Sequence, residues 1–338
     1  MLKVLVTGAN GFVGSHIVEA LLSAKYYVIC PVRKTSDLRW IKGLPVRYEY
    51  GDLSDKNFLE KIVKDADIIV HCAAIVRAVV KSEYFKINVG ITKNLCEVVL
   101  NINPGLKKFI FISSQAAMGP SSSVNFKKIT YEENPISDYG LSKLMAEKEI
   151  KKMFYKKVVY TILRPAAVYG PRDKDIFVFF NLVYKHLRPV TTIKRLLQLV
   201  YVKDVANAVA ACLENRKTNN NIYYLADSIA YTWSEIGKII SFSAGVKTIP
   251  IPIPDFVFRF IGIVSEVLSY VTKKPAVLNR QKVMEILQKY WIADTELSEK
   301  DLNISFTPLE VASKITYNWY FNNSFSKYFI RKIDLRGK

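Results

Sequence analysis

The chain opens with a pattern that strongly limits its fold: an apolar strand, a glycine-rich turn and an apolar helix. The residues Val-Leu-Val-Thr at 4–7 are followed by Gly8, Gly11 and Gly14 at the spacing Gly-x-x-Gly-x-x-Gly. In such a turn Gly8 permits a sharp change of direction, Gly11 lets backbone approach a pyrophosphate, and Gly14 lets the helix pack closely. The N–H groups and partial positive charge at the helix N-terminus suit phosphates. The pattern therefore indicates a dinucleotide-binding turn, with an ordinary tight turn as the alternative.

Apolar strand patterns alternate with helical patterns through the first half of the chain. Strands are predicted at Lys3–Thr7, Tyr26–Val32, Val46–Tyr50, Ile68–His71, Phe109–Ser113 and Val158–Leu163. Helices are predicted among them at Gly11–Ser23, Asn57–Lys64, Glu83–Leu100 and Asp138–Phe154. This alternation indicates an α/β fold, a Rossmann-type doubly wound parallel sheet with helices on both faces.

The pattern changes beyond about residue 172, where helical segments surround short strands at Leu199–Val202 and Ile222–Leu225. We expect residues 1–172 to form the dinucleotide-binding domain, with residues 199–226 returning to it. Residues 173–338 would form a smaller, mostly helical substrate-binding part. That part would cover the carboxyl edge of the sheet, where ligands bind in such folds.

Composition excludes several classes of protein. The net charge is +19, spread without a long basic block. A solvated basic surface, an anionic lipid surface or a phosphorylated ligand would each account for it. No zinc-finger, RNP or basic-zipper pattern accompanies it, so no nucleic-acid partner is expected. The four cysteines, Cys30, Cys72, Cys96 and Cys212, form no Cys-x-x-Cys pair, and the three histidines share no ligand spacing. Buried, reduced thiols in a cytoplasmic protein without a leader are expected, and no metal site is predicted.

One long apolar segment, Ile249–Thr272, lies in the second half. Asp255, Arg259 and Glu266 interrupt it and three prolines stand near its start, so it is a poor membrane span. A helix that covers the substrate pocket or joins the core is favoured over a membrane-surface helix.

Three polar residues stand where a proton-transfer site would need them. Ser114 follows the fifth predicted strand, and Tyr139 and Lys143 are four residues apart on a predicted helix. Residues at that spacing share one face of a helix. A lysine ammonium beside a phenol favours the phenolate and lowers its pKa. Tyr139 could then exchange a proton with a substrate oxygen that the Ser114 hydroxyl holds.

The Tyr-x-x-x-Lys spacing is not specific by itself. The chain contains two more matches, Tyr270 with Lys274 and Tyr328 with Lys332. Neither follows a serine at a strand end, and both lie far along the chain from the glycine turn. The context therefore favours Tyr139, and packing or surface roles are predicted for the other two tyrosines.

Together these motifs resemble those of the extended short-chain dehydrogenases/reductases. That group contains NAD(P)-dependent sugar epimerases, dehydratases, dihydroflavonol-type reductases and 3β-hydroxysteroid dehydrogenases. The resemblance runs from residue 1 to about residue 320, with the motifs in family order. Beside the glycine turn and the Ser114, Tyr139 and Lys143 set, they are Gly51-Asp52-Leu53, His71-Cys72-Ala73-Ala74, Asn88-Val89, Leu163-Arg164-Pro165, Val168-Tyr169-Gly170-Pro171 and Val202-Lys203-Asp204-Val205.

The resemblance implies a row of cofactor contacts at the strand ends. They comprise Gly8, Gly11, Phe12, Val13 and Gly14 in the turn, Asp52 and Leu53 beside the adenine, Ala73 and Ala74 in the groove, Asn88 below the nicotinamide ribose, Tyr139 and Lys143 at that ribose, and Pro165 and Val168 beside the nicotinamide. Two alternatives stay open: Asp52 as a helix cap or turn residue, and Asn88 as a buried structural amide.

The end of the second strand indicates which cofactor is preferred. NAD-preferring members of the group place an acid there to bind the ribose hydroxyls. Here the strand ends Ile29-Cys30-Pro31-Val32 and is followed by Arg33 and Lys34, without an acid. Arg33 could bind a 2′-phosphate bidentately, so NADP(H) is expected over NAD. A solvated loop position for Arg33 is the alternative.

Departures from the sugar-nucleotide pattern bear on the substrate. UDP-sugar 4-epimerases carry an asparagine where this chain has Ala166-Ala167, and an arginine where it has Leu197, although Arg195 is close enough to replace that arginine. Gln115-Ala116 stands in place of the acidic pair of 4,6-dehydratases. An oxidoreductase that interconverts a less polar ketone and a secondary alcohol is therefore favoured. The alternatives are a nucleotide-diphosphate-sugar epimerase or dehydratase, and a non-catalytic NADP-binding sensor or scaffold.

Family members often dimerise through two helices from each subunit. Here those helices would be Glu83–Leu100 and Asp138–Phe154, so a homodimer is expected from the resemblance. Contact with a membrane surface is compatible with the sequence but is not predicted.

Overall fold

The structure is a computed structural model and describes residues 1–321 of the chain. Its strands, in chain order, are β1 (Lys3–Thr7), β2 (Tyr27–Val32), β3 (Arg47–Tyr50), β4 (Ile68–His71), β5 (Lys108–Ile112), β6 (Tyr160–Pro165), β7 (Ala167–Tyr169), β8 (Leu187–Thr191), β9 (Leu196–Leu197), β10 (Leu199–Tyr201), β11 (Asn221–Leu225), β12 (Tyr231–Thr232), β13 (Ile249–Ile253) and β14 (Tyr290–Trp291). The α-helices are α1 (Phe12–Ser23), α2 (Lys56–Lys64), α3 (Lys81–Tyr84), α4 (Thr92–Ile102), α5 (Asp138–Phe154), α6 (Phe177–Tyr184), α7 (Val202–Cys212), α8 (Trp233–Ala244), α9 (Asp255–Thr272), α10 (Arg280–Ile286), α11 (Glu296–Leu302) and α12 (Leu309–Phe321).

Seven parallel strands form the central sheet in the order β11-β6-β5-β4-β1-β2-β3. The order reverses between β1 and β4, and a crevice opens at such a point beyond the carboxyl ends of the strands. The predicted α/β fold with a doubly wound parallel sheet is confirmed. Each of its predicted strands begins within two residues of the observed one.

Alternation along the strands builds a core on each face of the sheet. In β1, Val4 and Val6 belong to the cluster that α1 and α7 cover, whereas Leu5 belongs to the cluster under α2, α4 and α5. Because successive side chains of a strand point to opposite faces, a strand covered on both sides needs apolar residues throughout. This requirement explains the unbroken apolar runs in the sequence.

One predicted helix is interrupted. In place of a single helix over Glu83–Leu100, the chain forms α3, a π-helical segment at Phe85–Ile91, and α4. A π-helical turn inside an α-helix accommodates one extra residue, and such turns are frequent at functional sites. The spacing of apolar residues in the sequence does not predict this π-helical segment, because contacts with other elements of the fold stabilise it.

The C-terminal part has its own apolar cluster, formed by side chains of α6, α8, α12 and the short strands β7, β9 and β10. β11, although it comes late in the chain, lies in the central sheet beside β6. The division of the chain at residue 172 remains a prediction.

Two expectations about apolar residues need correction. Helix α9, expected to cover a pocket or join the core, buries only Gly262 and Ser269 and exposes most of its apolar side chains. Cys72 is half-buried, while Cys30, Cys96 and Cys212 are buried as expected.

Over residues 1–321, no helix is long and apolar enough to cross a membrane. The pair Tyr328 and Lys332 and the chain beyond residue 321 lie outside the described residues.

Candidate functional site

The glycine turn packs directly against the loop that follows β4. Gly8 has a φ of +71°, and a Cβ on it would stand 2.8 Å from the amide nitrogen of Ala73. A Cβ on Gly14 would stand 2.1 Å from the carbonyl oxygen of Gly8. Neither position can therefore carry a side chain in this backbone. The close approach brings Gly8 and Ala73, both predicted cofactor contacts, to one place at the carboxyl edge of the sheet.

The start of α1 can receive an anion. Gly11 precedes the helix in extended conformation, is exposed, and offers no side chain to cap the first N–H groups. Phe12 and Val13 begin the helix and are half-buried. The first N–H groups of a helix have no partner within the helix and carry partial positive charge, so the twelve-residue α1 offers donors to a phosphate.

Charged residues follow the ends of β2 and β3. Arg33 and Lys34 are exposed after β2, and Asp52 is exposed with Leu53 half-buried after β3. Hydrogen bonds from Ser54 hold the pKa of Asp52 below its usual value, and the nearby Arg33 charge lowers it further. Arg33 and Asp52 thus lie near each other at neighbouring strand ends. Asp52 also forms the turn contact with Ser54 that the alternative interpretation required.

A buried histidine, which sequence reasoning passed over, orders the floor of this edge. The Thr7 hydroxyl accepts from the amides of Cys72 and Ala73, both at 3.2 Å, and therefore donates to His71 Nδ1 at 2.7 Å. The other ring nitrogen, Nε2, lies 2.9 Å from the Thr92 hydroxyl, which itself donates to the Asn88 carbonyl. Burial, with a smaller effect of the Lys143 charge, lowers the pKa of His71 to about 3, so the ring is neutral.

Asn88 joins three parts of the site. It lies in the π-helical segment and is buried. Its side chain accepts from the amide of Ile75 at 2.9 Å and donates to the Ile75 carbonyl and to the Ser142 hydroxyl. These bonds tie the loop after β4, in which Ala74 is half-buried, to α5. The alternative interpretation of Asn88 as a buried structural amide describes its contacts.

Ser114 and Tyr139 meet at the end of β5. Ser114 caps a short 3₁₀ turn by accepting from the Ala116 amide at 3.1 Å. Tyr139 lies in the first turn of α5, is half-buried, and stacks at a tilt on Tyr84 with ring centroids 6.4 Å apart. Burial raises the pKa of Tyr139 well above its usual value, the nearby Ser114 hydroxyl opposes this rise, and the charge of Glu285 adds to it. The phenol is therefore protonated at neutral pH.

Lys143 is one turn further along α5 and is 1% exposed. Its ammonium donates to the Ile112 carbonyl at 2.6 Å and lies over the Phe111 ring, 4.0 Å from the centroid. Burial lowers the pKa of Lys143 to about 8. The lowering of the Tyr139 pKa by Lys143 stays a prediction: burial is the largest influence on the phenol, and the Lys143 ammonium is hydrogen-bonded to the end of β5.

The remaining predicted residues lie on β6, on β7 and in the C-terminal part. Pro165 ends β6 and is buried, and Val168 on β7 is half-buried. Arg195 is 3% exposed: it forms an ion pair with Asp255 and donates to the carbonyls of Ile193 and Leu287. Its guanidinium is thus paired within the protein interior. In this structure Arg195 does not take the place of the arginine that binds the diphosphate in UDP-sugar 4-epimerases.

Helix α10 holds the N-terminus of α5, a contact that no sequence signal predicted. The Ser137 hydroxyl donates to Glu285 at 2.5 Å and accepts from the Gly140 amide at 3.0 Å. Gln281 accepts from the Asp138 amide and donates to the Asp138 carboxylate. The contacts with α10 join residues more than 140 positions apart and fix the turn that carries Tyr139. Among residues 1–321, no cluster of three or more potential metal ligands occurs.

Comparisons with known proteins place this geometry in context. The sequence model of the NAD-dependent epimerase/dehydratase family matches residues 4–226. A UDP-glucose 4-epimerase of Vibrio cholerae is 29% identical over 274 residues, which cover 77% of this chain and 81% of that protein. A ceramide reductase of Caulobacter vibrioides is 26% identical over 321 residues, 94% of each chain. The structure of UDP-glucuronic acid 4-epimerase from Bacillus cereus in complex with NAD covers 96% of this chain and 98% of its own, with a TM-score of 0.75 and 22% identity. That last likeness concerns the fold alone.

Proposed function

The chain belongs to the NAD-dependent epimerase/dehydratase family, and from that premise we propose that it is an NADP(H)-dependent oxidoreductase acting on an apolar ketone or secondary alcohol. The observation that carries the proposal is the meeting of Ser114 and Tyr139 at the carboxyl edge of the sheet, beside the glycine turn. The nicotinamide, when bound, supplies or accepts a hydride. The protein's own residues position the substrate oxygen and provide its proton.

The strand ends fit a dinucleotide. The contacts of Gly8 and Gly14 leave backbone without side chains beneath the uncapped start of α1. Phosphates would bind there, and Ala73 and Ala74 would line the groove. Pro165, Val168 and Lys143 would hold the nicotinamide half, with Asn88 supporting the ribose site from below. Arg33, with Lys34 beside it, would bind a 2′-phosphate, which is the reason for proposing NADP(H) over NAD.

Tyr139 acts as the proton donor in the reductive direction. Ser114 donates a hydrogen bond to the carbonyl oxygen of the substrate, and Tyr139 transfers its phenolic proton as that oxygen becomes an alkoxide. Because the pKa of Tyr139 is raised, the proton stays on the phenol until the oxygen gains charge. Lys143 would position the ribose. Its positive charge, present when the lysine is protonated, would favour the loss of the phenolic proton from Tyr139.

Replacing Tyr139 by phenylalanine tests this assignment. Without the phenolic proton, the Tyr139→Phe variant should lose several orders of magnitude in turnover, with NADPH affinity nearly unchanged. Tyr270→Phe, on the exposed surface of α9, is the matched control and should keep full activity. Full turnover in Tyr139→Phe would refute the role.

The substrate class rests on Arg195. A sugar nucleotide needs a cation at its diphosphate, and Arg195 is instead paired with Asp255 in the interior. The similarity to a ceramide reductase supports an apolar ketone. The second candidate is a nucleotide-diphosphate-sugar epimerase, which the similarity to a UDP-glucose 4-epimerase supports.

Thermal unfolding separates the two candidates. UDP, dTDP, GDP and CDP are added in turn to the NADP-loaded protein. A nucleotide present at 100 times its Kd should stabilise the native state by about 2.7 kcal/mol. We expect NADP to stabilise the protein and the four nucleotides to add nothing. A clear upward shift in Tm with one nucleotide would favour the epimerase and identify its sugar carrier.

A further inference from the structure

Helix α9 has the reverse of the polarity expected for a helix on a water-soluble surface. Its side toward the protein carries polar residues beside the half-buried Phe258: Asp255 pairs with Arg195, Glu266 pairs with Arg280, and Ser269 is buried. Its outer side is apolar and exposed. We call this outer side the α9 apolar face; it comprises Phe256, Phe260, Ile261, Ile263, Val264, Val267, Leu268, Tyr270 and Val271, each at least 40% exposed.

The α9 apolar face is continuous. With 3.6 residues per turn, its nine side chains occupy one half of the helix circumference, uninterrupted by a charged residue. Exposed apolar side chains on the segments before and after α9, Ile249 and Ile251 on β13 and Val277 before α10, extend it along the chain. Soluble monomers rarely expose apolar patches of more than a few hundred Å², and larger ones mark interaction sites.

The charges around the face identify its partner. Arg259 is exposed at the edge of the face, and Lys273 and Lys274 are exposed at the C-terminal end of α9. The two acids of the helix lie outside this face, and each is paired with an arginine. Cations around an apolar helical face suit an anionic bilayer, where the apolar side chains enter the acyl region and the cations meet the headgroups.

We propose that α9 lies flat in the surface of an anionic membrane and anchors the protein there. The helix has 18 residues, about 27 Å at 1.5 Å per residue, and interrupting charges, so it lies in the surface rather than crossing the bilayer. Helix α10 connects this face to the site, because it contacts α9 through Arg280 and the start of α5 through Glu285. The consequence for catalysis rests on the function proposed above: a ketone dissolved in the membrane would enter the site from this side.

Sedimentation with lipid vesicles tests the anchoring. The full chain with NADPH is mixed with vesicles of phosphatidylcholine, alone or with phosphatidylglycerol. We expect binding to the anionic vesicles, weakened by salt. The Phe260→Gln/Val267→Gln variant should bind at least about tenfold more weakly, because it removes two side chains from the acyl region. The control Tyr27→Gln/Tyr155→Gln, which changes exposed aromatic residues at the opposite edge of the sheet, should bind as the wild type does.

A second pair of variants tests the charge. Lys273→Glu/Lys274→Glu should lose binding to the anionic vesicles. The control Lys156→Glu/Lys157→Glu should retain binding to the anionic vesicles. It is matched because Lys156 and Lys157 are also exposed lysines that follow a helix, and Lys156, like Lys273, has a positive φ. Thermal unfolding of each variant checks that it is folded.

Three outcomes would overturn the proposal. The wild type could stay in the supernatant with anionic vesicles, or the Phe260→Gln/Val267→Gln variant could bind them as strongly as the wild type. The third is a wild type that forms a dimer without vesicles in sedimentation velocity, when the same variant is a monomer. The last outcome would identify a second copy as the partner. Vesicle binding is measured independently of enzymatic turnover. A protein that binds vesicles but reduces no ketone would therefore refute only the proposed reductase function. Reduction of a soluble ketone without vesicle binding refutes only the anchoring.

Discussion

At the scale of single residues, burial decides the charge of the two groups on which the chemistry depends. Tyr139 and Lys143 are one helical turn apart, and desolvation disfavours the charged form of each. It raises the pKa of the phenol and lowers that of the ammonium to about 8. A protonated Tyr139 is suited to donate its proton to a carbonyl oxygen that is being reduced.

The lowered pKa of Lys143 has a consequence for stability. Between about pH 8 and the unfolded value of 10.5, the unfolded chain holds a proton on this lysine that the native protein has lost. Unfolding then takes up a proton, so the free energy of unfolding rises with pH, by about 3 kcal/mol at most. We expect the stability of the wild type relative to Lys143→Met to rise over that range and to be flat below pH 8. Denaturant unfolding measures it, with Lys152→Met on the exposed side of α5 as control; a flat difference throughout would contradict the prediction.

Arg33 should determine the choice of cofactor. The Arg33→Ala variant should weaken NADPH binding about 10- to 100-fold and hardly affect NADH, since only NADPH has the 2′-phosphate that a guanidinium binds. Fluorescence titration with each cofactor measures the effect. Equal losses for both cofactors would show that Arg33 does not bind the 2′-phosphate.

At the scale of elements, the site is assembled by contacts that join distant parts of the chain. The π-helical segment positions Asn88 between the loop after β4 and α5. Helix α10 caps the start of α5 through Gln281 and Glu285. The orientation of Tyr139 therefore depends on a helix in the C-terminal part as well as on its own helix.

The contribution of α10 can be measured through pH dependence. The Glu285 carboxylate adds to the rise in the pKa of Tyr139, so Glu285→Gln should lower that pKa. For reduction the phenol must be protonated, and the alkaline limb of the kcat profile should move to lower pH. Glu266→Gln, which changes the carboxylate at the α9 contact of α10, should leave the limb in place. An unmoved limb in Glu285→Gln would contradict the electrostatic role.

At the scale of the whole molecule, two surfaces could bring the protein into contact with something larger. The α9 apolar face is one, and the outer side of α4 and α5, where the homodimer was predicted, is the other. The second surface is mixed in character: Met145 on α5 is 40% exposed, and Lys93 on α4 and Lys148 on α5 are exposed.

The predicted homodimer can be tested at Met145. A glutamate there would place a charge in the interface, so Met145→Glu should give a monomer in sedimentation velocity while the wild type is a dimer. Ile315→Glu changes a residue of similar exposure, 43%, on α12 and should remain a dimer. A dimer that persists in Met145→Glu would place the interface elsewhere.

Much of the fold and part of the site could be predicted from the sequence because the signals are local. A strand buried on both faces must be apolar throughout, and Gly8 and Gly14 are required by contacts within a few residues or with the adjacent strand end. The places of Ser114, just after β5, and of Tyr139, in the first turn of α5, follow from the predicted bounds of these two elements. Their assigned roles remain predictions.

The sequence by itself determined the parallel sheet, the glycine turn and the order of the polar residues along its edge, because period and backbone sterics act over short stretches. Only the tertiary structure decided which of those residues are charged and which are free to bind. Arg195 is committed to Asp255, the pKa of Tyr139 rises although a lysine is one turn away, and α9 turns its apolar side outward. Each depends on burial and on partners from other elements of the fold, and desolvation and ion pairing are properties of those contacts rather than of any local pattern.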